Sequence, residues 1–173
     1  MSCNTALTSI LKGCNNNIGG LAAFYIAPSE FVTGSTVSAG TVTAVNMSGA
    51  TKFVTFEFNK NGGNYIEAAP ISLENGSTYF EITVNLTIPR REVAKRNAIA
   101  LLAAGQRNLD IIVLDQNGLY WYIGYANGAN LTALGEGSGV SKADGSKYSL
   151  TFLAEEPELA YEVTSGIIAN IIS

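Results

Sequence analysis

The chain has 173 residues, of which 47% are hydrophobic and only 14% charged, with a net charge of −4, two cysteines and no histidine. That length suits a single core that needs neither disulfides nor a metal, and its acidic balance argues against a surface that grips nucleic-acid phosphates. A charged share well below the ~25% of average soluble domains points to a neutral surface or to one covered by partners.

In chain order, residues 1–20 read as an N-terminal arm, and residues 21–173 as one domain. Within the arm, Thr5 to Lys12 has the composition of a short helix ending at Gly13, followed by the breakers Asn15–Asn17 and Gly19–Gly20. Cys3 and Cys14 match no zinc or redox spacing, so reduced thiols are the expectation, with a short-loop disulfide as the alternative. The stretch Thr5–Leu11 lacks the basic region and long apolar core of a signal peptide. No segment approaches the ~18 apolar residues of a membrane helix. Synthesis in a cytoplasm without export, and no membrane insertion, are therefore expected.

Leu21–Ala27 (LAAFYIA), bounded by Gly20 and Pro28, reads as a buried strand. Pro28–Gly40 reads as a turn-rich connection, and Thr41–Met47 as an alternating strand. Lys52–Asn59 (KFVTFEFN) predicts a strand with Val54, Phe56 and Phe58 on one face and Phe53 on the other. Lys60–Asn64 is a loop or hairpin tip. Tyr65–Ser72 continues as a strand whose Pro70 suggests an edge. Tyr79–Ile88 alternates most cleanly, with Phe80, Ile82, Val84, Leu86 and Ile88 on one side.

Pro89 suits the first position of a helix running to Ala104 and capped by Gly105. The helix would pack Val93, Ala94, Ala98, Leu101 and Leu102 on the sheet. Leu109–Asp115 is a buried strand, Asn117–Gly118 a hairpin turn and Leu119–Tyr125 the returning strand. A glycine-rich excursion spans Asn127–Ser146. Lys147–Ala154 alternates again, Leu159–Val163 adds a short strand, and the apolar tail from Ser165 is a strand or short helix. The sum is a mainly β protein: an antiparallel sandwich or partly closed barrel with one flanking helix at about residues 89–105.

Chemistry is sparse. Without histidine, Ser-His-Asp and Cys-His arrangements cannot form. Neither Gly62–Gly63 nor the stretch from Gly135 to Gly139 has the context of a phosphate loop. Glu155, Glu156, Glu158 and Glu162 cluster near the C-terminus. They offer a carboxylate pair for glycoside hydrolysis or a hard-cation site, against the simpler reading of a solvated acidic edge. Arg90, Arg91, Lys95, Arg96 and Arg107 concentrate half of the chain's basic residues in eighteen positions. A solvated helix face explains them, but so does charge pairing with the acidic cluster, within one subunit or across a contact between copies. Tyr120 and Tyr122 face one way and Trp121 the other, as core packing, an interface anchor or a sugar platform. No catalytic residue, cofactor or metal ligand is expected.

From Pro89 onward, three segments follow one another: PRREVAKRNAIALLAAG, then LDIIVLDQNGLYWYIGYANGANLTALGEGSGV, then KYSLTFLAEEPELAYEV. The order of helix, "NG" hairpin with aromatic return, Gly/Ala-rich loop and Y-x-L-x-F-x-A-x-E-P-E resembles the tail-tube proteins of long-tailed phages. Those proteins share a fold with the tube proteins of contractile injection and type VI secretion machines. The resemblance covers residues 89–163, a little under half the chain.

The resemblance implies a virion structural protein: hexameric rings, self-assembled and stacked into a tail tube whose lumen conducts DNA during ejection. Its partners would be further copies of itself and the tape-measure, terminator and baseplate proteins, with DNA only in transit. The particle would be assembled in the host bacterial cytoplasm. Val54, Phe56, Phe58 and Phe80–Ile88 would supply barrel strands. Residues 1–20 and the tip at Lys60, Asn61, Gly62 and Gly63 would supply ring-to-ring contacts. Arg90, Arg91, Lys95 and Arg96 would face Glu155, Glu156 and Glu158 across subunits. The alternatives are a ring, connector, terminator or baseplate adaptor of the same particle class, and, further off, a carbohydrate-binding or adhesin module.

Overall fold

The computed structural model describes residues 7–104, 107–135 and 137–173, and the structure is mainly β. Two adjacent strands form its middle: β1 (Leu21–Pro28) lies antiparallel to the strand Leu109–Asp115. Both faces of this pair are covered. Phe24, Ile26, Ile111 and Val113 enter one core, while Tyr25, Ala27 and Ile112 enter a second. Burial on both faces is why these two segments read as continuous apolar runs rather than alternating ones.

Further strands follow β1: β2 (Val32–Ser38), β3 (Thr41–Met47), the two-residue β4 (Val54–Thr55), β5 (Gly63–Ala68), the small hairpin β6 (Ile71–Ser72) and β7 (Ser77–Thr78), and β8 (Phe80–Pro89). Helix α1 (Val93–Ala103) precedes β9 (Leu109–Asp115). Then come β10 (Tyr120–Ile123), β11 (Ala129–Gly135), β12 (Lys147–Glu156), β13 (Tyr161–Val163) and helix α2 (Ser165–Ile171).

On the side away from β1, β9 pairs with β10 along its C-terminal half and with β11 at Leu109. The sheet therefore divides there. One branch runs β11–β12–β8–β5 and folds over the first core, adding Ile82, Val84, Leu86, Ile88, Tyr148, Leu150 and Phe152. The other runs β10–β13–β3–β2 and encloses the second core with Phe53 and helix α2, through Val42, Val163, Ile168 and Ile171. Among the described residues every strand ladder is antiparallel except β13 with β3, and the isolated bridge between Phe53 and Ile172 is also parallel. The edge strand β5 approaches β1 where Gly63 meets Leu21, but no ladder joins them among the described residues.

Several local expectations need correction. Residues 7–19 have no helix and stay exposed along their length. A helix this short is unstable in water unless a face of it is buried. The connection after Pro28 contains β2 and a 3-10 turn at Ser29–Phe31. Lys52–Asn59 forms only the two-residue β4: Phe53 is buried in the second core, Phe56 and Phe58 lean on the first, and Val54 is exposed.

Pro89 ends β8 rather than starting the helix, which begins at Val93 with Glu92 as its cap. The packing face of α1 is also different: Ile99 is its one fully buried residue, with Leu102 beside it, whereas Val93 and Leu101 are 74% and 58% exposed. Gly105 lies outside the described residues. The glycine-rich excursion contains β11, and the apolar tail is α2. The β9–β10 hairpin uses a three-residue loop. Gly118 N–H donates to Asp115 O at 3.2 Å, and Gly118 itself has φ +86°, the left-handed position that follows a type I turn.

Candidate assembly surface

The proposed site residues fall at two opposite ends of one ladder. Strands β8 and β12 pair over ten residues, from Lys147 opposite Pro89 to Glu156 opposite Phe80. At ~3.3 Å per residue those ends lie roughly 30 Å apart.

The first end is basic. Arg90 has φ +58°, turning the chain sharply out of β8, and its N–H donates to Ser146 O at 2.7 Å. The Arg91 guanidinium lies 4.7 Å from the ring centre of Tyr148, a cation–π contact that fixes its stem. Lys95 Nζ donates to Pro89 O and Arg90 O at 2.7 and 3.2 Å, so the ammonium ties α1 to the end of β8. Glu92 Oε1 sits 2.9 Å from Arg90 Nε. Arg96 is exposed and donates to Asn97. The 60–63 turn reaches the same end, since Thr87 N–H donates to Gly62 O at 2.7 Å. Lys60 and Asn61 are exposed there. Gly62 and Gly63 instead serve packing: Gly63 is buried against Phe58 and Leu21, and Gly62 fits against the backbone of Asn59 and Thr87.

The second end is acidic. Glu155 is exposed and lies opposite Glu81, with Glu158 exposed beyond it. Glu158 accepts the Tyr161 hydroxyl, and Glu81 accepts that of Tyr79. Glu156 behaves differently. It is only 5% exposed, and its carboxylate accepts Ala126 N–H at 3.0 Å and Asn127 N–H at 3.1 Å. Desolvation raises its pKa against the opposing pull of those two donors. Neighbours along a strand point to opposite faces, so Glu155 and Glu156 do not converge on one substrate bond. Among the described residues no group of three acidic or cysteine side chains could hold a metal ion.

The basic helix and the acidic cluster therefore do not pair within one subunit. Arg107 belongs to neither patch: it lies on the acidic side and approaches Glu30 at 3.6 Å. The aromatic strand is taken up by packing. Tyr122 is buried and stacks edge-on with Phe53 and Tyr125, while Trp121 packs on the first core and donates to Asp115 Oδ2 at 3.2 Å. This leaves no open aromatic platform on β10.

One buried group escaped the sequence reading. Asp110 is 5% exposed, accepting the Ser29 hydroxyl and the Tyr122 hydroxyl at 2.8 Å each. Burial raises its pKa, opposed by both hydrogen bonds. The only hint in the sequence was an acid inside the apolar run LDIIV, where a buried carboxylate must find donors.

Between the two ends, the outward face of the β5–β8–β12–β11 branch is neutral. Asn64, Thr83, Asn85, Thr87, Ser149 and Thr151 cover it together with the apolar Ile66 and Leu153, and Thr151 Oγ1 donates to Asn85 Oδ1 at 3.0 Å. No family model, no curated protein and no solved structure matches this chain, so its function is argued from this geometry.

Proposed function

We propose that this chain is the structural subunit of a phage-type tail tube, which forms closed rings that stack head to tail around a DNA-conducting lumen. The observation that carries the reading is the separation of charge along β8 and β12. Arg90, Arg91, Arg96 and Lys60 sit at one end and Glu81, Glu155 and Glu158 at the other. A subunit with unlike, complementary ends favours heterologous stacking, which extends into a filament when it does not close. The edge of β5, which joins no ladder beyond β8 among the described residues, suits side-by-side joining of sheets, which would also cover an edge that otherwise invites uncontrolled pairing.

The uncharged face between the ends, of hydroxyl, amide and apolar side chains, supplies a wall without lysine or arginine, the side chains from which phosphate affinity comes. On this reading the partners are further copies of the chain and the tape-measure, terminator and baseplate proteins. The location is the virion tail.

The test is to express the chain alone and examine it by negative-stain electron microscopy with light scattering. Hollow filaments or stacked rings are expected. Single rings that never stack would assign an adaptor or terminator instead, and a monomer that stays monomeric at high concentration would count against self-assembly. Charge reversal sharpens the result. Arg91→Glu alone and Glu155→Lys alone should each weaken stacking, and mixing the two variants should restore part of it.

A further inference from the structure

Two features stand without a partner among the described residues. The first is a cleft between α1 and the strands beside it, with a volume of about 330 Å³. Phe56, Ile88, Ala94, Ala98 and Ile99 form its apolar walls, and Glu57 and Lys95 stand among them. That volume is at the lower limit of small-ligand pockets, and of its polar lining residues Thr55, Glu57 and Lys95, the last is already bound to the carbonyls of Pro89 and Arg90.

The second is the described part of the arm, where Leu7, Ile10 and Leu11 are 102%, 98% and 86% exposed. Their spacing of i, i+3 and i+4 would align them on one face of a helix. Isolated, a helix of this length does not hold, which accounts for its irregular course here.

We infer that residues 7–12 of one copy fold as a helical turn into the α1 cleft of a second copy. Three observations favour that occupant. The arm's apolar face and the cleft's apolar walls each supply what the other lacks. Lys12 follows that face, Glu57 stands at the cleft, and neither makes an ion pair among the described residues. On its own chain residues 7–19 stay off the cleft and are held elsewhere: Ile18 N–H donates to Asn117 Oδ1 at 2.8 Å, and Asn117 Nδ2 donates to Asn17 Oδ1 at 3.1 Å. From that anchor to Leu11 the chain can span up to about 25 Å, enough to leave its own subunit. The inference rests on the self-assembly part of the reading above, but not on the tube.

The test uses the full chain with Cys3→Ser and Cys14→Ser as background, so that only introduced thiols react. Leu11→Cys is combined with Ala98→Cys in the cleft, and the control combines it with Ala100→Cys on the exposed side of α1. Under mild oxidation the cleft pair should give a ladder of disulfide-linked dimers and higher species on a non-reducing gel, at least several-fold more than the control. A bond formed within single chains, or free thiols throughout, would overturn the inference. A second variant, Leu7→Ser/Ile10→Ser/Leu11→Ser, changes only exposed side chains. It should keep the thermal midpoint of the wild type but lose the higher species in light scattering, and unchanged assembly would also overturn the inference. Electron microscopy of the wild type separates the two ideas. Hollow filaments without the cleft cross-link would sink the arm contact and leave the tube. A cross-linked ladder without rings or filaments would do the reverse.

Discussion

Asp110 and Glu156 are carboxylates buried without a cation, each held by neutral donors. Their folded pKa values lie above the ordinary carboxylate range because burial penalises the charge. The folded state therefore binds more protons than the unfolded chain across that interval. Their contribution to stability is fully present below the unfolded pKa and is lost as pH rises through the folded one. Asp110→Asn keeps the shape and removes the charge. Urea midpoints from acid to neutral pH should show the wild type losing ground to Asp110→Asn as pH climbs, and two parallel curves would refute the assignment. Tyr122→Phe removes one of the two donors and should cost about 1–3 kcal/mol in the same assay at neutral pH. At the basic end, a Cβ on Gly62 would lie 2.8 Å from Asn59 O and 3.2 Å from Thr87 O. Both are backbone atoms and cannot swing aside. Gly62→Ala should therefore cost roughly 1–3 kcal/mol in a denaturant melt.

Helix α1 is held to the sheet by a narrow strip of contact. Lys95, Ile99 and Leu102 fall at i, i+4 and i+7, and Ile99 alone is fully buried. Ile99→Ala should destabilise by about 2–5 kcal/mol, the range for a large aliphatic side chain removed from a core. Val93→Ala and Leu101→Ala remove exposed groups and should stay within about 0.5 kcal/mol in the same melts. A large loss from Val93→Ala with none from Ile99→Ala would mean that the opposite face packs. The periodicity of the helix did not choose between these faces, because Ala, Val, Leu and Ile occur all round it. β8 was legible for the opposite reason: Ile82, Val84, Leu86 and Ile88 alternate with Thr and Asn, and every one of the four is buried. In KFVTFEFN the alternation was equally regular, yet the strand is only two residues long. Among the described residues β4 pairs only with β1, and no strand lies on its outer side to extend it.

At the scale of the whole molecule, the proposed stacking sets unlike charges against one another near the surface. Such contacts are screened by salt, with a Debye length of ~10 Å at 0.1 M and ~3 Å at 1 M. Assembly measured by light scattering should weaken as salt is raised over that range, while the urea midpoint of the subunit changes little, because the two cores are apolar. Assembly that strengthens with salt would assign the contact to apolar surface instead. Candidates are Leu7, Ile10 and Leu11 of the arm, and Ile71 and Leu73 at the β6–β7 hairpin, the last two exposed at 63% and 92%.

The sequence by itself determined a mainly β chain, the positions of most long strands and a single longer helix after β8. Each of these follows from patterns within five to ten neighbouring residues: alternation, apolar runs and turn residues. Only the tertiary structure decided that β9 serves two branches of the sheet, that β13 joins β3 in parallel, and that Glu156 is buried while Glu155 is not. It also separated Arg107 from the other basic residues and set the remaining ones a ladder's length from the acidic cluster. Which end of a ladder a charge occupies depends on the pairing of β8 with β12, segments far apart along the chain, and no local pattern encodes that distance.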